Sequence, residues 1–327
     1  MTIKNRLLYS VITILVLLLV AAGYYLVKGG KVTNPLQTQT NPFSTTNIIL
    51  SATQANVSKG SNSGSFDVYQ VMTDGSNKKL TSSDDANFKG GTNATLSPDG
   101  QKIAYVGVNS ATGSQIIEMN LDGSGKTAVS KVLGFKFMPS WSKDGKMILY
   151  QNAGADGKPV IMQLTLANGT EMVAVNGYAN ISNPSWLPDG SGFIFLQSPD
   201  NKAQHLMLHQ NGKDSEVMVK NGDAQVTDFL TPAMSPDGKS VAFIRASDNQ
   251  VYTVSLDGKN VKLLSRATHS IFGCVNWSPD NKYLVAAEYD RGDNKSYVSK
   301  VDTSNVNVTR WVESGFSSIN CPRVARY

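Results

Sequence analysis

The sequence predicts an all-β protein, a six-bladed β-propeller carried behind an N-terminal transmembrane helix. Three observations carry the prediction: an Asp-Gly turn recurring about every 45 residues, a second turn locked in phase with it, and one uncharged run of 21 residues near the N-terminus. With 327 residues, 40% hydrophobic and 17% charged, the chain has a globular composition and the length for one large ring.

The first element is the apolar run LLYSVITILVLLLVAAGYYLV, residues 7–27, which can cross a hydrocarbon core of ~30 Å as a helix. Lys4 and Arg6 precede it and favour a cytoplasmic N-terminus with the rest of the chain exported. The competing reading is a signal peptide cut after Val20-Ala21-Ala22. Continuation of the run through Tyr24, Tyr25, Leu26 and Val27 favours an uncleaved anchor over 1–27. Residues 28–46, GGKVTNPLQTQTNPFSTTN, are rich in Gly, Pro, Thr and Asn and read as a flexible stalk. The expected location is therefore the cell membrane, single-pass, with the propeller on the extracytoplasmic side.

Net charge excludes one class of partner. Of the 30 basic residues, Lys4, Arg6, Lys28 and Lys31 precede the first acidic residue, Asp67, which leaves 26 basic against 25 acidic groups beyond residue 31. Neither net charge nor a Lys/Arg run there offers the basic surface that nucleic acid requires.

The ring is read from five aligned segments: ATLSPDGQKIAYVG (94–107), PSWSKDGKMILYQN (139–152), PSWLPDGSGFIFLQ (184–197), PAMSPDGKSVAFIR (232–245) and VNWSPDNKYLVAAE (275–288). Their aspartates, Asp99, Asp144, Asp189, Asp237 and Asp280, stand 45, 45, 48 and 43 residues apart. In each, a short strand meets a tight turn, and a β-branched and aromatic run follows. A second turn falls about 23 residues on, in TDGSNKK (73–79), LDGSGKT (121–127), ANGTEMV (167–173), QNGKDSE (210–216), LDGKNVK (256–262) and VDTSNVN (301–307). LDGSGKT resembles the end of a phosphate-binding loop, but a full loop needs Gly where Asn120 stands and a helix where AVSKV follows. It reads as a hairpin turn, and no nucleotide is expected.

Four strands per period of about 45 residues describe a propeller blade. Blades two to six are complete. The first supplies NIILSAT (47–53), FDVYQVM (66–72) and KKLTS (78–82) as its second, third and fourth strands. INCPRVARY (319–327) stands where a new inner strand should start, so it is expected to complete blade one and close a ring over 47–327. The same alignment places Cys274 and Cys321 at one position on the inner strands of blades six and one. A disulfide across that seam suits an exported domain. Equivalent residues on adjacent blades point the same way, however, and a bridge needs Cα atoms within ~7 Å. Two small buried thiols are the alternative.

The SPDG turn, followed by runs such as KIAYVG, SVAFIR and KYLVAAE and a second Asp-Gly turn, resembles the propeller repeat of the TolB family. The repeat is similar to that in propeller domains of prolyl oligopeptidase-type enzymes. The resemblance covers 47–327 and implies a ring that binds partner proteins of the bacterial envelope. TolB carries an α/β domain before its propeller, whereas this chain has an apolar segment and a linker there. Within the repeats Lys143 replaces Pro, Leu187 replaces Ser and Asn281 replaces Gly.

The chain has no GxSxG and no α/β segment to hold a hydrolase triad. His205 and His209 lie four residues apart on one strand face, about 13 Å, too far to share a metal directly, and read as polar surface or inter-blade residues. Asp84-Asp85 and the loop with Asp290, Asp293 and Asn294 could offer oxygens to calcium, but Arg291 and Lys295 interleave the loop and it reads as a solvated turn. No metal or cofactor is expected.

Propellers present ligand sites at a channel mouth, and the starts of the inner strands with their feeding loops are expected to form it. Strand alternation puts Thr95, Ser140, Ser185, Ala233, Asn276 and Arg323 at equivalent positions, with Arg323 the one charge. The expected ligand contacts are Arg323 and Asn276, for an anion or carboxylate, with Phe272 and His269 at the rim. The alternative is that Arg323 pairs with a carboxylate across the seam. The function expected is a non-catalytic binding or scaffold module for a protein or cell-envelope polymer. The alternative is a lyase or glycosidase acting on polysaccharide.

Overall fold

The computed structural model describes residues 47–54, 66–72, 74–82, 85–109, 113–153, 157–200, 202–266, 270–314 and 316–324. The expected membrane helix and stalk, His269 and residues 325–327 lie outside the described residues. Among the described residues no helix is long and apolar enough to cross a membrane.

Six four-stranded antiparallel sheets hold 24 of the 26 strands of the described residues. From inner to outer strand, blade two is Lys89–Leu96, Lys102–Asn109, Gly113–Asn120 and Thr127–Ala128. Blade three is Phe135–Trp141, Met147–Ala153, Pro159–Thr165 and Thr170–Val175. Blade four is Ile181–Trp186, Gly192–Gln197, His205–Gln210 and Lys213–Glu216. Blade five is Phe229–Met234, Ser240–Arg245, Gln250–Ser255 and Lys262–Leu263. Blade six is Ser270–Trp277, Tyr283–Asp290, Lys295–Asp302 and Val308–Ser314. A two-stranded ribbon, Lys220–Asn221 with Ala224–Gln225, joins blades four and five.

Blade one is built from both ends of the propeller. Phe316–Val324 pairs antiparallel with Asn47–Gln54, which pairs with Asp67–Met72 and then with Asn77–Lys79. This inner strand starts three residues earlier than the sequence places it, because Phe316 is held by aromatic contact with Tyr69, ring centroids 4.6 Å apart. The pairing of first and last strands removes a free sheet edge.

The recurring turn is a closed hydrogen-bond cycle. In blade two Ser97 Oγ donates to Asp99 Oδ1 at 2.6 Å, Gln101 N donates to the same oxygen at 3.0 Å, and Lys102 N donates back to Ser97 Oγ at 2.9 Å. Ser142 with Asp144, Ser235 with Asp237 and Ser278 with Asp280 repeat the pattern. Blade four has Leu187 in place of the serine, and Ser191 on the far side of the turn donates to Asp189 instead, at 2.7 Å. The glycines at 100, 145, 190 and 238 have φ of 72°, 70°, 75° and 75°, a left-handed conformation that excludes most side chains; Asn281 takes it at 62°.

The second strands, such as Ile103-Ala104-Tyr105 and Ile48-Ile49-Leu50, are buried on both faces because neighbouring blades stack against them. Each core cluster draws on two adjacent blades. Trp186 Nε1 donates to Ser140 O at 3.1 Å and Trp277 Nε1 to Ala233 O at 2.9 Å, so these two tryptophans bind blade to blade.

Candidate anion-binding channel

Every inner strand is bulged at one level. The register with the second strand slips between Thr92 and Thr95, Phe137 and Ser140, Ser182 and Ser185, Leu230 and Ala233, and Phe272 and Cys274. In blade one it slips across Asn320 to Arg323. Asn93, Met138, Asn183, Thr231 and Cys321 sit in these bulges with φ between 34° and 53°. A bulge adds a residue and re-aims the side chains beyond it. Prolines follow four of these residues, Pro139, Pro184, Pro232 and Pro322, where a ladder N–H is not required.

Beyond the bulges lies the ring of Thr95, Ser140, Ser185, Ala233, Asn276 and Arg323. Their cross-strand partners are Ala104, Leu149, Ile194, Ala242, Val285 and Ile49, the same position in each second strand. All six line a cavity of about 250 Å³ on the ring axis. It runs from the bulges toward the Asp-Gly turns, where Pro98, Lys143, Pro188, Pro236 and Pro279 form its rim, and Trp141, Trp186 and Trp277 contribute to its wall.

The cavity therefore sits at the ends of the inner strands rather than at their starts. Phe272 is accordingly not a rim residue. It is 2% exposed and packed in the core between blades five and six, because the slip after it turns the strand before the channel level is reached. His269 falls outside the described residues. Asn276 lines the cavity, but its Nδ2 donates to Pro322 O at 3.0 Å and stitches blade six to blade one. Beside it Cys274 and Cys321 are joined by a disulfide with Cα atoms 5.0 Å apart, and both line the cavity wall.

Arg323 makes no hydrogen bond or ion pair with the described residues, and no carboxylate takes it across the seam. Its Nε is sealed from solvent without an acceptor, and the surface the side chain retains opens into the cavity. The guanidinium is thus wrapped by protein even where water can touch it. Burial pushes its pKa down to about 10, and it remains charged at neutral pH. Lys143 is the second cation of the lining, and among the described residues no carboxylate lines the cavity.

The remaining candidates are satisfied elsewhere. His205 Nδ1 meets Glu216 Oε1 at 2.8 Å and His209 Nδ1 meets Asp214 Oδ1 at 2.6 Å, on the outer hairpin of blade four. Lys126 of LDGSGKT pairs with Asp85 at 3.0 Å. The acidic loop of blade six belongs to a cluster that the sequence did not reveal. Arg310 pairs with Glu288 at 2.8 Å, with Asp290, and with Asp293 at 3.7 Å, and stacks over Tyr297 at 4.2 Å. An arginine thus occupies the place a cation would take. Its signal was the position of VTRWVES as the outer strand, which sets Arg310 opposite Ser299. Among the described residues no group of His, Cys, Asp and Glu could hold a metal.

A closed six-bladed propeller of hydrogen-bonded Asp turns, with its polar cavity on the ring axis, defines the class of protein. Residues 55–270 match the family model of the TolB beta propeller domain, and the chain belongs to that family. It is 26% identical over 210 residues to the uncharacterized protein Atu1656 of Agrobacterium fabrum, covering 59% of this chain and 68% of that one. Its fold is similar to the crystal structure of TolB from Acinetobacter baumannii, with a TM-score of 0.70 at 20% identity over 86% of this chain and 67% of that one. An oligogalacturonate lyase in complex with manganese matches at a TM-score of 0.51 and 17% identity, over 81% of this chain and 72% of that one. At these identities the structural likenesses concern the fold alone.

Proposed function

We propose that this protein is a single-pass, membrane-anchored propeller displayed outside the cytoplasm, a non-catalytic module that binds a protein or cell-envelope polymer through its axial cavity. The observation that carries the reading is the lining: small hydroxyl and amide side chains, three tryptophans and two cations with no opposing carboxylate. Such a surface recognises a ligand by shape and charge. A lyase or glycosidase needs a His, Tyr or carboxylate set converging on one point, and the described lining contains none of these. The apolar run at 7–27 and the Lys4/Arg6 flank support the anchor and its orientation.

The test is affinity capture from envelope extract by the detergent-solubilised full chain, with a glycan array as a parallel arm. Ser140→Tyr, which fills the cavity, serves as the blocked form. A partner or glycan retained by the native chain and lost by Ser140→Tyr is expected. Equal capture by both forms would place binding elsewhere on the ring.

A further inference from the structure

We propose that the axial cavity is built for one compact carboxylate, seated against Arg323; this rests on the reading of the cavity as the binding site. Arg323 is the one charged member of the six-residue ring, and its neighbours at the same level are Thr95, Ser140, Ser185, Ala233 and Asn276. Two of these are partly engaged, although Ser185 keeps its O–H as a donor. Ser185 Oγ accepts from Met234 N at 3.1 Å and Asn276 Nδ2 donates to Pro322 O. Thr95 and Ser140 keep hydroxyls that no described residue occupies, on the blades next to and one beyond Arg323. Ala233 leaves space on the other side of the ring.

Charge selects the ligand. An arginine held away from bulk water with no carboxylate partner is completed by an anion. One guanidinium at the ring, with Lys143 further out at the rim, matches a single negative charge better than a phosphate dianion. The planar two-nitrogen fork of arginine fits a planar carboxylate with two parallel hydrogen bonds. Hydroxyls from Thr95 and Ser140 add donors to the same oxygens.

Size selects it again. About 250 Å³ falls below the ~300–1,000 Å³ of drug-sized ligand sites. A folded partner or a polymer chain cannot enter whole. What enters is one acidic group on a small body, either a free organic acid or a single acidic unit projecting from a larger partner. The indoles of Trp141, Trp186 and Trp277 provide apolar wall for that body and an optical signal, since three of the four tryptophans in the chain line the cavity.

The experiment uses the full chain in detergent, titrated with D-glucuronate and N-acetyl-L-glutamate amide, each paired with its neutral carboxamide counterpart, and with inorganic phosphate. Readouts are tryptophan fluorescence and thermal midpoint. Saturable binding of one or both acids is expected, with at least tenfold weaker binding of the carboxamides and of phosphate. Arg323→Gln should cost at least tenfold and Ser140→Ala a few-fold for the acids. Should Arg323→Gln not fold, Ser140→Ala, away from the seam, carries the same comparison.

Equal binding of acids and carboxamides, or acid binding untouched in the variants, overturns the proposal. Preferential binding of phosphate overturns the ligand class. Silence of both acids and phosphate alongside specific partner capture sinks the carboxylate while the binding-module reading stands. A free acid and an acidic unit of a partner are distinguished by competition: only in the second case does the acid displace the captured partner.

Discussion

Replacing Arg323 with methionine should make this protein more stable. Among the described residues the guanidinium has no acceptor for its Nε and no carboxylate partner, and only a small cavity solvates it. Its pKa of about 10 measures how far folding disfavours the charged form, about 3 kcal/mol relative to an arginine in water. A group whose folded pKa lies below its unfolded value binds fewer protons in the native state. The penalty is therefore full at every pH below about 10 and relaxes only as alkali removes the proton. Methionine keeps the apolar stem and removes the charge. After loss of some packing, a gain of about 2 kcal/mol remains, roughly 4 °C in midpoint for a chain of this size. Calorimetry or far-ultraviolet circular dichroism of the full chain in detergent measures it, and the gain should be flat between about pH 5 and pH 9. A midpoint that falls in Arg323→Met would refute the reasoning, because it would mean that Arg323 holds the closing seam together.

Three further outcomes follow from other parts of the ring. Cys274 and Cys321 are 47 residues apart, so in the loop-entropy account the disulfide stabilises by about 4 kcal/mol; the Cys274→Ser/Cys321→Ser double variant should melt several degrees lower, and a mass change on reduction checks the bond. Arg310→Ala leaves Glu288 buried without its cation, an expected loss of about 3–5 kcal/mol, which Glu288→Gln in the same chain should partly restore. The turn aspartates are held below the ordinary carboxylate range, Asp99, Asp144 and Asp237 by serine hydroxyls first and then by backbone N–H groups. Their contribution is complete above about pH 4 and is lost as pH falls through their lowered values, so the melting temperature should drop steeply below that pH and less steeply in Asp237→Asn.

The ring was legible because its determinants are local and repeated. A Ser-Pro-Asp-Gly turn closes its own hydrogen bonds within six residues, so the order Ser97, Asp99, Gly100, Lys102 carries the geometry in the chain itself. Repetition at about 45 residues then identifies the blade, and the unmatched segments at the two ends identify closure. The proposal of an anchor at 7–27 rests equally on local length and charge.

What sequence could not decide were relations between distant segments. Arg310 reaches Glu288 and Asp290 from a strand about twenty residues on, and Lys136, only 1% exposed, donates to the carbonyls of Ser114, Val132 and Gly134; neither follows from spacing. The site shows the same division. Alternation along the inner strands was sufficient to group Arg323 with Thr95, Ser140 and Asn276, since period two is a property of any strand. Placing the cavity toward the Asp-Gly turns required the six bulges, which shift register against a partner strand and are invisible in one strand alone. Phe272 falls on the wrong side of one such bulge. Only the assembled ring decided that this arginine faces the channel with no carboxylate partner among the described residues.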